Sequence, residues 1–266
     1  MFACVGIGLL LTGCKKELDL DYHTISALYV AEGSVTQDGT TVLLSTSQDI
    51  TDNTRSEHAV SGATVVVSVP DLGISQTLKD EGKGRYTSTL KGIPGNTYQL
   101  DIDVDGRHFT STSTMQEMPV VGSYRFVWRK MMTESMLFLD LRLQDIPNQN
   151  NYYFMHIYRN NLGYRWAVKR DDTNPGGELQ QLFNCATKRD IEDGSSDAPA
   201  DGDRIRLEIR TIDKAAYDYL YSMQVMDNAG TNPIQNFSGG CLGYFSAYSV
   251  QNLHFTFRLS DVEEDD

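Results

Sequence analysis

Apolar and polar residues alternate along most of this chain. Tyr98, Leu100, Ile102 and Val104 are separated by single polar residues, and Arg204-Ile205-Arg206-Leu207-Glu208-Ile209-Arg210 alternates without a break. A period of two places successive side chains on opposite faces of a pleated ribbon, so each run predicts a strand with one buried face. Ala63-Thr64-Val65-Val66-Val67-Ser68-Val69 is rich in the β-branched residues that fit such a surface. Similar runs recur between Gly, Asp, Asn and Ser clusters, and Asp105-Gly106 has the chemistry of a two-residue hairpin turn. Seven or so strands over roughly 90 residues predict an antiparallel, immunoglobulin-like β-sandwich over 23–115.

Gln116-Glu117-Met118-Pro119 interrupts the pattern and marks a domain boundary. A second series of alternating runs follows over 120–260, predicting a C-terminal β-sandwich or barrel-like domain. The period changes near 213–225, where Ala216, Leu220 and Met223 lie at helical spacing and Asp213 or Thr211 is placed to cap the N-terminus. One helix is expected there in an otherwise all-β protein. Thr187 to Gly202 reads as a long loop, and 261–266 as a solvated acidic tail.

The first thirteen residues are apolar and uncharged, and Cys14 follows Leu11-Thr12-Gly13 and precedes Lys15-Lys16-Glu17. The run falls short of the about 20 residues needed to cross a bilayer and has the length of a signal-peptide core. Leu11-Thr12-Gly13-Cys14 has the pattern of a lipobox, so Cys14 is the expected site of lipidation, with 14–22 as the tether. Each buried methylene contributes roughly 0.8 kcal/mol, so two or three acyl chains hold a soluble body at a membrane. No basic residue precedes the run, so 1–13 is expected to be a truncated signal peptide whose true start lies upstream.

The formal net charge of -13 removes nucleic acid from the expected partners, because binding there rests on basic patches. It also disfavours direct docking on anionic lipid. Of four cysteines, Cys4 would leave with the signal peptide and Cys14 would be lipidated; Cys185 and Cys241 are then a candidate disulfide or two buried thiols.

Several runs in order carry a family resemblance. They are the lipobox with its acidic tether, Val60-Ser61-Gly62-Ala63-Thr64-Val65-Val66-Val67, Gly84-Arg85-Tyr86, Gly92-Ile93-Pro94-Gly95-Asn96-Thr97-Tyr98, Thr211-Ile212-Asp213-Lys214-Ala215-Ala216-Tyr217-Asp218-Tyr219 and Gly239-Gly240-Cys241-Leu242-Gly243-Tyr244-Phe245. Together they resemble the DUF4249 family of Bacteroidetes lipoproteins. The N-terminal half also looks like the immunoglobulin-like or carboxypeptidase-regulatory-like sandwiches of that phylum. The resemblance implies an outer-membrane lipoprotein, on either face of that membrane, that works beside a TonB-dependent receptor in nutrient uptake. It carries over no catalytic residue.

Catalytic and metal signatures are sparse. Asp101-Ile102-Asp103-Val104-Asp105-Gly106 opens like a calcium loop, but its twelfth position is Thr112, where a bidentate Glu is needed. The acidic loop with Asp190, Glu192, Asp193, Asp197, Asp201 and Asp203 reads as a solvated insertion. The five histidines are scattered, and there is no HExxH or GxSxG. No metal or cofactor is expected. Aromatic and basic residues do concentrate: Tyr158, Arg159, Tyr164, Arg165 and Trp166 lie on two adjacent predicted strands with Tyr152, Tyr153 and Phe154. Such residues suit a binding patch for an anionic ligand or an acidic partner loop, or a core with cross-strand aromatic pairs. The functions considered are a non-catalytic accessory of a transporter, a surface adhesion or assembly module, and a hydrolase with an unrecognised site, in that order.

Overall fold

A computed structural model describes residues 27–47, 58–171, 176–229 and 233–265. Cys14, the signal segment and the tether lie outside these residues. The first sandwich contains β1 (Tyr29–Thr36), β2 (Gly39–Thr46), β3 (Thr64–Val69), β4 (Ile74–Thr77), β5 (Lys79–Asp80), β6 (Arg85–Ser88), β7 (Thr97–Val104) and β8 (Arg107–Thr114). The second contains β9 (Val120–Met131), β10 (Glu134–Gln144), β11 (Tyr152–Arg159), β12 (Leu162–Arg170), β13 (Glu178–Thr187), α1 (Lys188–Glu192), β14 (Arg204–Ile212) and α2 (Lys214–Ala229). The chain ends its course with β15 (Leu242–Ala247), β16 (Ser249–Thr256) and β17 (Glu263–Asp265). The architecture is all-β, with α2 the one long helix among the described residues.

Two sheets, β15-β1-β2-β6-β5 and β4-β3-β7-β8, enclose a core that includes Val42, Val67, Tyr98, Leu100 and Phe245. Alternation produces this directly: in β7, Tyr98, Leu100, Ile102 and Val104 are buried while the intervening residues are more exposed. Asp105 and Gly106 both take positive φ, as the predicted hairpin turn requires. Two further sheets, β13-β10-β9-β17 and β12-β11-β14-β16, enclose a second core around Leu139, Leu141, Tyr153, Ile157 and Leu207.

Four expectations change. First, β15 belongs to the N-terminal sandwich, where it pairs in parallel with β1 from Val30↔Leu242 to Val35↔Ala247. The first core is therefore built partly from residues that lie between strands of the second. Second, Cys185 and Cys241 are free thiols. Cys185 lies in the second core and Cys241 in the first, so the folding of β13 and β15 into different sandwiches precludes the bridge. Third, the acidic tail is a strand: Glu263–Asp265 pairs in parallel with Val127–Arg129, and Arg125 and Arg129 meet Glu263 and Asp265. Fourth, the 187–202 loop opens with α1, fixed by a capping box in which Thr187 and Asp190 bond each other's backbone N–H.

The predicted helix is α2, and Asp213 caps it by accepting from the Ala216 N–H at 2.9 Å. The same carboxylate accepts from the Thr114 N–H at 3.1 Å, which ties the helix start to the end of β8. No described helix is long and apolar enough to cross a membrane.

Candidate functional site

On β11, Tyr153, Met155 and Ile157 enter the second core, so Tyr152, Phe154, His156 and Tyr158 occupy the opposite face. Register brings Arg170, Val168 and Trp166 of β12 beside Tyr152, Phe154 and His156, and Arg210, Glu208 and Arg206 of β14 beside Phe154, His156 and Tyr158. α2 lies over one end of this face, where Ala216, Tyr217 and Leu220 pack on Phe154, Val168 and Ile212. A groove remains between α2 and the edge strand β12. Its main hollow is about 430 Å³, lined by Val168, Lys169, Arg170, Tyr217, Asp218 and Tyr221. Arg170 also borders a second hollow of about 280 Å³ with Asn150, Asn151, Tyr152 and Asp171.

Tyrosines climb one wall. The rings of Tyr152 and Tyr217 lie 5.1 Å apart, and Tyr217 stacks on Tyr221 at 5.6 Å. Tyr221 is 46% exposed at the rim, and Trp166, two residues before Val168 on the same face, is 40% exposed. Gln224 bonds the Val168 N–H through its Oε1 at 3.3 Å, holding helix and strand edge together. The groove thus sets the Tyr217 and Tyr221 rings beside the charged side chains of Lys169, Arg170 and Asp218, a combination suited to orienting an organic ligand.

The floor beyond the helix is an electrostatic spine. Glu208 is buried and accepts from Arg206 Nη1 at 2.6 Å and Arg210 Nε at 2.7 Å. Paired on both sides, this carboxylate avoids the penalty of an isolated buried charge. Arg210 also sits 4.6 Å from the Tyr248 ring centre, and Arg206 3.6 Å from that of Tyr158. His156 stacks on Tyr158 at 4.0 Å. Burial holds the His156 imidazole below its usual range, so it is neutral at pH 7.

The five-residue patch expected from sequence is divided. Arg159 and Arg165 lie 5.0 and 4.1 Å from the Tyr164 ring centre, and the Tyr164 hydroxyl donates to the Cys185 carbonyl at 2.6 Å. Arg165 also bonds Asp197 at 2.6 Å, and Arg159 bonds the carbonyls of Ser196 and Ala198. Arg159 and Arg165 fasten the loop after α1, and Tyr164 ties β12 to β13. Tyr158 is on the other face, between Arg206 and His156. None of the five lines the hollow; Trp166 stands beside it, its ring 5.9 Å from that of Phe154. The divider is strand alternation, which puts Tyr158 and Arg159, and Arg165 and Trp166, on opposite faces; a β-bulge opposite Ile157 and Tyr158 leaves Tyr164 as the extra residue of β12. Sequence reading missed Tyr217, Tyr221 and Asp171; the i, i+4 spacing of Tyr217 and Tyr221 on the predicted helix was the available signal.

Asp171 leads to a buried carboxyl pair. Asp145 receives the Tyr153 hydroxyl and, at 2.9 Å, the Gly176 N–H, while Asn151 Nδ2 donates to Asp171 Oδ2 at 3.3 Å. Burial and the neighbouring Asp145 push Asp171 up to about 6. Burial acts against the Asp145 carboxylate too, but hydrogen bonds from Asp171, Tyr153 and Gly176 outweigh it and hold Asp145 below the usual range. Each carboxyl shifts the other's titration, and their hydrogen bonds join Asn151 to Asp171 and Gly176 to Asp145. Among the described residues no three His, Cys, Asp or Glu side chains converge as metal ligands.

Two all-β modules, with a helix-walled groove on the second, make up the described structure. The sequence over residues 15–253 matches a family described as Domain of unknown function (DUF4249), and the chain belongs to that family. No curated protein matches it.

Proposed function

We propose that this protein is a lipid-anchored, non-catalytic accessory of an outer-membrane, TonB-dependent uptake system, and that the groove between α2 and β12 binds its ligand. The observation that carries ligand binding is the hollow in which Tyr217 and half-exposed Tyr221 stand beside Lys169, Arg170 and Asp218, with exposed Trp166 next along β12. The anchor and its membrane rest on the lipobox at Cys14. The receptor rests on the family resemblance. The polarity of the fold fits an anchor. β1 runs toward the second sandwich, since Val35 bonds the Tyr248 N–H and Gln37 reaches Val250. Tyr29 thus begins at the remote end, and a lipid on Cys14 would hold the molecule there.

The test is chemical crosslinking in native outer membranes followed by mass spectrometry, with wild type and Trp166→Ala/Tyr221→Ala compared. Recovery of one receptor in equal amount supports the reading. The groove variant should keep the receptor and lose the co-purifying ligand. If ligand recovery is unchanged in a folded variant, the groove assignment fails; if wild type captures no receptor, the accessory role fails.

A second reading, adhesion or assembly, draws on Met132 and Leu162, which are 96% and 74% exposed at hairpin tips. Met132→Ser/Leu162→Ser should abolish cell-surface or protein adhesion if this reading holds, and leave receptor capture intact.

A further inference from the structure

β9 is twelve residues long, and on its outer edge it pairs with β17 over three residues, Val127–Arg129. Among the described residues the remainder of that edge has no strand partner. An unpaired edge presents a row of N–H and C=O groups that can template another strand. The occupant present here shows what the edge selects. Val262 packs against the second core, Glu263 meets Arg125, and Asp265 accepts from Arg129 Nε at 3.0 Å. Acids two residues apart in one extended strand meet arginines four apart in the other, and an apolar residue sets the register.

The contact is also easily broken. It consists of three parallel pairs and partly exposed ion pairs, which salt screens. We propose that the Arg125/Arg129 edge of β9 is a docking strip for an extended partner segment of the pattern apolar-acid-x-acid, which adds as a strand. Residues 263–265 occupy it in cis and compete with the partner. Charge complementarity and the pattern of the bound strand argue for this occupant.

The experiment uses the full chain and a fluorescein-labelled peptide, Leu-Ser-Asp-Val-Glu-Glu-Asp-Asp, which copies 259–266. Glu263→Lys/Asp265→Lys repels the resident strand and should raise peptide affinity roughly tenfold as the competent fraction grows. Adding Arg125→Glu/Arg129→Glu should abolish binding, as should a peptide with Lys at the two contacting acids. Hydrogen exchange on the wild type is a second measurement that needs no variant: excess peptide should accelerate exchange at 263–265. A folded strand variant that gains no affinity, or unchanged exchange at 263–265 under excess peptide, overturns the proposal. A second copy docking its tail would appear as concentration-dependent dimerisation of the wild type that excess peptide dissociates, and would overturn it in favour of self-assembly.

Discussion

Asp171 shows how a residue's chemistry follows from where the fold leaves it. Its carboxyl is driven up to about 6 by burial and by Asp145. An acid with a raised folded pKa binds its proton more tightly when folded. Its stabilising contribution is present below the unfolded value near 4 and is lost as pH rises through 6. Asp145 is shifted downward and acts the opposite way below pH 4, losing its contribution as pH falls. Asp171→Asn keeps the shape, supplies a permanent donor to Asp145 and deletes the upper titration. Melting temperatures of variant and wild type should therefore diverge between pH 4 and 6, the variant gaining as pH rises. Parallel curves would mean that the carboxyls are not paired. The two buried thiols give a second residue-scale test. Burial raises both Cys185 and Cys241 to about 12, and the thiolate is the reactive form. Mapping of alkylated peptides should find both unmodified in the native protein and both modified in denaturant without reductant; resistance in denaturant would indicate a disulfide. Neither outcome was legible in sequence, because pairing of Cys185 with Cys241 or of Asp145 with Asp171 depends on which sandwich and which loop end receives each residue.

At the scale of elements, sequence periodicity carried much of the fold. The unbroken alternation of 204–210 became β14, and the change of period near Asp213 became α2 with the expected cap. What periodicity does not encode is register. A bulge at Ile157/Tyr158 shifted the β11–β12 register, while alternation put Tyr158 and Arg159, and Arg165 and Trp166, on opposite faces and broke up the anticipated patch. Pairing between distant strands is equally hidden, and Gly243 shows what it requires. Its φ is +93°, and a Cβ there would stand 2.1 Å from the Ala31 carbonyl oxygen. β15 can approach β1 this closely only because the residue is glycine. Gly240 has a similar φ of +83° with nothing within 4 Å of a Cβ. Gly240→Ala should therefore show backbone strain alone, about 1–3 kcal/mol. Gly243→Ala should lose clearly more in chemical denaturation and should raise amide exchange in β1. Equal losses at the two positions would show that the close approach contributes nothing.

For the whole molecule, the consequence is that the two sandwiches are not independent in sequence. Phe237, Cys241, Phe245 and Ala247 are all buried in the first core, yet they lie between β14 and β16 of the second. Phe245 fits over Gly33, where a Cβ would come 3.0 Å from its ring. β15 also covers the edge of β1, and Asn236 accepts from Ser111 Oγ at 2.8 Å through its side chain. A fragment spanning residues 27–119 would match the boundary suggested by sequence, but it would lack two buried phenylalanines and expose β1. Loss of one buried Phe typically removes about 3–5 kcal/mol, and small domains have only about 5–15 kcal/mol in total. The fragment should be unfolded or aggregated by circular dichroism and sedimentation, its open edge favouring aggregation. A synthetic peptide of residues 233–248 supplied in trans should restore a cooperative melt by filling the groove beside β1. Rescue should fail when that peptide carries Phe245→Ala, because pairing of the backbone alone leaves the core unfilled. A fragment that melts cooperatively without the peptide would show that the first sandwich is self-sufficient and that β15 only covers its edge. Dependence on the peptide would instead make the order of folding non-sequential: the N-terminal module would remain incomplete until β9 to β14 of the second sandwich had been traversed and β15 had returned to it.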